Sequence, residues 1–285
     1  MRRTLTEFAP AKINLALHVL GRGPDGYHEL DSIVAFADVG DELRFTPSTE
    51  FSIAASGPFA HKLPAPENNI IHAAWKSLAA VAYARGKTLP PVHVALTKNL
   101  PVASGIGGGS ANAAAAIRAF VKLADLGAFP AEIAAAALVL GADVPVCLLG
   151  KPCRMRGVGE RLTPLDNFTP LDAILINPLI AVSTAAVFRQ LGIPNSSFQR
   201  SPDDGYPDDH ATWRNDLTAP AIAVAPVIAE VLAALAAQPG LRFARMSGSG
   251  ATCFGIFECL AAATYAERAL SQSYPQYWTR GATLA

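Results

Sequence analysis

The sequence predicts an α+β protein, and three observations predict it. Strand-like and helix-like segments mix in both halves of the chain without the regular strand–helix alternation of a parallel sheet. Residues 11–20 alternate strictly between apolar and other side chains, the period of a strand. A glycine-rich loop at 104–109 joins a strand pattern to a long alanine-rich helical pattern. With 285 residues, 51% hydrophobic and 16% charged, the chain has the means for a packed core and is not a disordered one.

In chain order, Ile13, Leu15, Leu17 and Val19 share one face of the first strand, so Lys12 and Asn14 are expected on the opposite face, off the core. A turn at 21–26 leads to an apolar strand at 33–37. Ile70, Ala73, Ala74, Ser77 and Leu78 give residues 69–84 helical spacing, and Val92, Val94 and Leu96 alternate as a strand. Ser110 is the expected N-cap of the alanine-rich helix. Pro130 and Gly141 bracket another helix, and 144–149 reads as a short apolar strand. The pattern restarts after Arg156 with a strand at 173–176 and a helix capped by Ser183. Residues 195–216, rich in proline and aspartate, read as an exposed loop. A long helix ending near Gln238, a strand at 241–246, a second glycine turn at 247–250, a strand at 252–257, a helix and a last strand complete the chain.

Lys plus Arg equals Asp plus Glu, 23 against 23, so no net field draws the protein to nucleic acid or an anionic membrane. Cys147, Cys153, Cys253 and Cys259 make no CxxC pair and lie in or beside apolar runs, the pattern of buried free thiols in a reducing compartment. The opening MRRTLTEFAPAK has no apolar stretch of the kind a secretory signal needs, and prolines and a glutamate interrupt the most apolar segment, 218–237. A cytoplasmic protein is expected.

Three segments look like phosphate loops. Gly21 to Gly26 fits G-x-G-x-x-G, but Pro24-Asp25-Gly26 is turn chemistry where that motif needs a helix to begin. Gly86-Lys87-Thr88 is followed by Pro90-Pro91, which forbids the helix of a P-loop. The stretch from Pro101 to Asn112 satisfies the mechanism. Its glycines let successive N–H groups converge on an anion, and the positive end of the following helix faces the same point.

That loop resembles the phosphate loop of the GHMP kinases, and further segments carry the resemblance along the chain. They are Ala9-Pro10-Ala11-Lys12-Ile13-Asn14-Leu15, Pro24-Asp25-Gly26-Tyr27-His28, Leu140-Gly141-Ala142-Asp143-Val144-Pro145, Gly157-Val158-Gly159-Glu160, and the run from Arg245 to Phe254. The resemblance implies a GHMP fold of two α/β domains, at 1–155 and 156–285, with the active site in the cleft between them. It implies a kinase using ATP, with Mg²⁺ carried by the nucleotide and no protein metal site. The Pro24–His28 segment points within the family to a small-molecule acceptor, a cytidine-diphosphate-linked methylerythritol of the non-mevalonate isoprenoid route. By the same resemblance Asp143 is the catalytic base and Lys12 its partner. Asn69, Lys98, Pro101, Val102, Ala103, Ser104, Gly105, Ile106, Gly107, Gly108, Gly109, Ser110, Ala111 and Asn112 hold ATP. Asn14, Tyr27 and His28 contact the acceptor, and Phe188 stacks on cytosine opposite Tyr27. Thr184, Gly248, Ser249 and Gly250 form a secondary set that helps close the cleft.

Read from the residues alone, Asp143 follows the helix that ends at Gly141, where a negative charge opposes the helix dipole, so a capping role is not favoured. Two other functions compete. A homoserine- or mevalonate-type kinase is opposed by the Pro24–His28 segment, and a non-catalytic ligand sensor of the same fold by the presence of Lys12 and Asp143.

Overall fold

The computed structural model describes residues 4–194, 197–198 and 213–285. The expected loop at 195–216 therefore lies largely outside the described residues. The chain forms two compact units that are discontinuous in sequence. The first comprises residues 1–11, 40–102 and 107–150; the second comprises 12–39, 103–106 and 151–285. Two long strands, β1 (Leu5–Arg22) and β2 (His28–Pro47), contribute residues to both.

In the first unit the end of β2 pairs antiparallel with β4 (Val92–Thr97), and β3 (Ser52–Ser56) adds to β4 in parallel. Four helices belong to it: α1 (Ile70–Ala84), α2 (Gly108–Leu123), α3 (Pro130–Leu140) and α4 (Val144–Leu149). α2 packs against α1, α3 and α4. Its alanines explain how: Ala111, Ala113, Ala114, Ala115, Ala116 and Ala119 are all buried, and small side chains let neighbouring helices approach closely. Phe120 at its far end meets Phe45 of β2 edge to face at 5.6 Å.

α4 corrects the expectation of a strand at 144–149. Val-Pro-Val-Cys-Leu-Leu is a short apolar run whose periodicity does not distinguish strand from helix, and Pro145 sits in the first turn, where its missing N–H costs nothing.

In the second unit the sheet order from β2 is β11 (Trp278–Leu284), β7 (Leu171–Asn177), β10 (Cys253–Phe257) and β9 (Leu241–Met246), every pair antiparallel. β5 (Cys153–Gly157) pairs with Leu30–Val34 of β2, and β6 (Arg161–Pro164) with β5. The two-residue β8 (Ser197–Phe198) pairs with the end of β1. Among the described residues four helices accompany the sheet: α5 (Thr184–Leu191), α6 (Thr218–Val224), α7 (Val227–Ala236) and α8 (Leu260–Ser273). α7 packs on β9 and β10, and α8 on β7 and β11. Leu17, Val19, Ile174, Ile176, Ile228, Val231, Leu235 and Leu270 lie in their common core. The single long helix expected up to Gln238 is two helices, because Pro226 cannot continue the α6 hydrogen-bond ladder.

The two other glycine-containing segments take different forms. Residues 23–27 are the turn joining β1 to β2, closed by the Gly23 N–H donating to the Tyr27 carbonyl at 2.8 Å. Lys87 spends its ammonium on Asp125 at 2.6 Å. Cys147, Cys153 and Cys253 are buried free thiols as expected, but Cys259 is exposed, at the N-cap of α8. No described helix is long and apolar enough to cross a membrane.

Candidate active site

Lys12 and Asn14 are not on a solvated face. They are 3% and 1% exposed, which corrects the half-buried reading of β1. Alternation showed that the two share a side but not that the side would be covered. Burying a lysine is costly unless its charge finds polar partners, and here the Lys12 ammonium donates to Asn14 Oδ1 at 2.9 Å. Asn14 Nδ2 donates to Ser32 Oγ at 2.8 Å, and the Asn14 N–H donates to Ser247 Oγ at 3.1 Å.

Ser247 then donates its hydroxyl to the Gly105 carbonyl at 3.1 Å, and the Thr252 N–H donates to the Ser104 carbonyl at 3.1 Å. The Lys12 N–H donates to the Ile106 carbonyl at 2.9 Å. Residues 103–106 are thus tied at once to Lys12 and to the 247–250 turn. The approach is backbone to backbone. A Cβ on Gly105 would stand 2.6 Å from the Ser247 carbonyl oxygen and 2.7 Å from that of Gly250, and φ of +76° would strain any other residue independently. Ser249 exchanges a hydroxyl hydrogen bond with Thr184 at 2.8 Å, and Asn215 Nδ2 donates to the Gly248 carbonyl at 2.8 Å. Sequence reasoning missed Ser32, Ser247 and Asn215. Ser247 was within the noticed turn, but nothing local marks a serine as the link between two loops.

Tyr27, His28 and Phe188 also belong to the second unit. Tyr27 is 65% exposed, while the ring that Phe188 stacks on is His28, with centroids 4.4 Å apart and planes at 28°. Partial burial, and secondarily the charge of Arg22, lowers the His28 pKa, so its ring is neutral at pH 7 and presents one donor and one acceptor. Cys153 has its thiol pushed up to about 11 by burial, with the Lys12 charge opposing the shift.

In the first unit, α2 begins at Gly108, with Gly107 as a left-handed N-cap at φ 65°. Ser110 is therefore the third helical residue, not the cap. The glycine takes the cap because the chain turns there with positive φ. The Gly107 carbonyl accepts the first helical bond, from the Ala111 N–H at 2.8 Å. Helix geometry leaves the N–H groups of Gly108, Gly109 and Ser110 without intrahelical partners at the positive end of a 16-residue helix. A Cβ on Gly109 would meet nothing within 4 Å. Asn112, 2% exposed, keeps its Oδ1 buried without a hydrogen bond among the described residues.

Asn69 caps α1, its Oδ1 accepting from the Ile71 N–H at 3.0 Å, so the amide NH₂ is what it can offer a ligand. Lys98 is 2% exposed and its ammonium is bonded to Asp41. Pro101 and Val102 follow in the same unit. Asp143 stands at the N-cap of α4, not merely beyond the preceding helix, and its carboxylate makes no capping bond. At that position the α4 dipole favours the negative charge, which reverses the expected sign. Among the described residues no group of three His, Cys, Asp or Glu side chains could hold a metal ion.

Residues 69–151 match the family described as GHMP kinases N terminal domain, and residues 204–276 match GHMP kinases C terminal. The chain is 48% identical to the 4-diphosphocytidyl-2-C-methyl-D-erythritol kinase of Cereibacter sphaeroides, with 98% of each chain covered. It is 46% identical to the enzyme of that name from Paramagnetospirillum magneticum, with 97% of each covered. A crystal structure of 4-(cytidine 5'-diphospho)-2C-methyl-D-erythritol kinase superposes with a TM-score of 0.75 at 33% identity, covering 99% of both chains. Homoserine kinase from Cytophaga hutchinsonii, at 18% identity and a TM-score of 0.70, shares the fold.

Proposed function

We propose that this chain, which belongs to the GHMP kinase family, transfers the γ-phosphoryl group of ATP to the 2-hydroxyl of 4-diphosphocytidyl-2-C-methyl-D-erythritol. The observation that carries the choice of acceptor is the 48% identity, over 98% of both chains, to a kinase of that name. The junction of glycine loop and α2 supports the donor. Three consecutive N–H groups without helical partners at a helix N-terminus suit the phosphates of a nucleotide. Asn69 and Lys98 complete the proposed ATP set, and Mg²⁺ arrives with the nucleotide.

In the reaction the acceptor oxygen forms a bond to the γ-phosphorus as the bond to the β–γ bridging oxygen breaks. Asp143 takes the hydroxyl proton, and the Lys12 ammonium, held by Asn14, offsets negative charge on the transferring group. Asn14, Tyr27, His28 and Phe188 bind the acceptor, whose cytosine is a flat, polar ring suited to aromatic faces and a neutral imidazole edge. Thr184 and the 248–250 turn support residues 103–106. Three buried thiols suit a reducing compartment, and the cytoplasm is the proposed location.

The test is a panel of acceptors with ATP: homoserine, mevalonate and 4-diphosphocytidyl-2-C-methyl-D-erythritol, with product followed by phosphorus NMR. Turnover confined to the third is expected. Faster phosphorylation of homoserine or mevalonate overturns the acceptor, and no turnover of any with ATP overturns the donor.

A further inference from the structure

One carboxylate in the first unit has no part in the reaction so far. Asp41 of β2 is fully buried. Its Oδ1 accepts two backbone N–H groups, from Asn99 at 2.7 Å and Leu100 at 2.8 Å, while Oδ2 is bonded to the Lys98 ammonium. Asp41 therefore engages three consecutive residues, and the next residue, Pro101, enters the glycine loop. The Lys98 ammonium lies at the first residue of α2, because a Cβ on Gly108 would stand 3.1 Å from Nζ. It thus adds a second positive group to the end of the helix that presents the unpartnered N–H groups.

A buried ion pair is weak evidence of stabilisation, since well-packed apolar residues of the same volume often do as well. What this pair supplies is a charge kept at a fixed place. We propose that Asp41 is a positioning residue of the nucleotide site, holding the Lys98 ammonium charged beneath the start of α2 and fixing the strand end from which the phosphate loop departs. The proposal rests on the ATP reading of that loop. Asp41 is the charged group acting on Lys98 among the described residues, and Gly108, beside the ammonium, carries no charge. Burial lowers the Lys98 pKa and Asp41 opposes the shift, so removing the carboxylate leaves an ammonium that sheds its proton more readily.

The experiment is calorimetry of ATP binding at pH 7 and pH 9 on wild type, Asp41→Asn, and the double variant Asp41→Asn/Lys98→Met, with melting temperatures alongside. Asparagine keeps an oxygen for the two backbone N–H groups and removes the charge. Asp41→Asn is expected to weaken ATP by about tenfold or more at pH 7 and at least as much at pH 9, with acceptor affinity unchanged. In the double variant, removing both charges is expected to restore the melting temperature but not ATP affinity. A merely structural pair predicts that both return together, and that result overturns the proposal. So does Asp41→Asn binding ATP within about twofold of wild type at both pH values, a change below the worth of one net hydrogen bond. If Asp41→Asn does not fold, Asp41→Glu keeps the charge but moves it by one methylene. It is expected to weaken ATP by about threefold or more, and unchanged affinity overturns the proposal. A wild type without affinity for ATP defeats the nucleotide reading itself and is distinct from both outcomes.

Discussion

Asp143 is the first residue-scale case, at the N-cap of α4, where its carboxylate makes no capping bond. Asp143→Asn therefore removes no cap of the kind whose loss typically costs ~1 kcal/mol, and asparagine is itself a good cap residue. The variant is expected to melt within a few degrees of wild type and to bind ATP normally. Its turnover is expected to fall by about 10²–10⁴-fold, the usual contribution of a general base. Steady-state turnover within about threefold of wild type, far below that contribution, removes Asp143 from the role. His28 is the second residue-scale case. Its ring stacks on Phe188 and is neutral at pH 7, so His28→Ala removes both an aromatic face and the ring edge proposed to bond cytosine. The kcat/KM for the cytidine-bearing acceptor is expected to drop by about tenfold or more, with ATP affinity unchanged. An acceptor lacking cytidine serves as the control; an equal loss on both acceptors shows that His28 does not read the base. Motifs single these residues out in the sequence, whereas nothing local shows their surroundings. Alternation put Lys12 and Asn14 on one face, but it could not show that this face is covered, because covering depends on residues far along the chain such as Ser247.

At the scale of elements, the glycine loop and the helix it starts were legible because strand, loop and helix patterns follow one another directly. The starting residue was not. Ser110 has the chemistry of a cap, yet the left-handed turn at Gly107 takes that place, and only the backbone conformation reveals it. Gly107→Val therefore puts a β-branched side chain at φ 65° and is expected to weaken ATP by at least about tenfold, since the misplaced N–H groups are those proposed to bind phosphate. Acceptor affinity is expected to stay close to wild type. Calorimetry giving the reverse pattern would exchange the donor and acceptor assignments. The six residues of α4 make fewer than two helical turns, too short a run for periodicity to separate strand from helix, so tertiary packing decides its state. The break between α6 and α7 is the opposite case, a local rule about Pro226 that outweighs an otherwise continuous apolar pattern.

For the whole molecule, the α+β class was legible from element order, but the division into compact units was not. Each unit gathers segments separated in sequence, and β1 and β2 serve both, which no local pattern encodes. The two histidines of the second unit that carry lowered pKa values yield a prediction about global stability. His18 is lowered by burial first and then by Arg214, against the opposing charges of Asp216 and Asp31; His28 is lowered by burial and Arg22. Both therefore have folded-state values below the ordinary 6.5, so in acid the unfolded chain binds more protons than the folded one. Stability from this source is present above pH 6.5 and is lost as pH falls through 6.5 toward the folded-state values. The melting temperature is thus expected to be lower at pH 5.5 than at pH 7.5, in a window above the ordinary range of the carboxylates. His18→Gln and His28→Gln are each expected to reduce that slope, and the double variant to flatten most of it. Denaturant titrations of the four proteins at the two pH values measure this directly. A double variant that keeps the wild-type pH dependence assigns the acid sensitivity to other groups and removes both histidines from it.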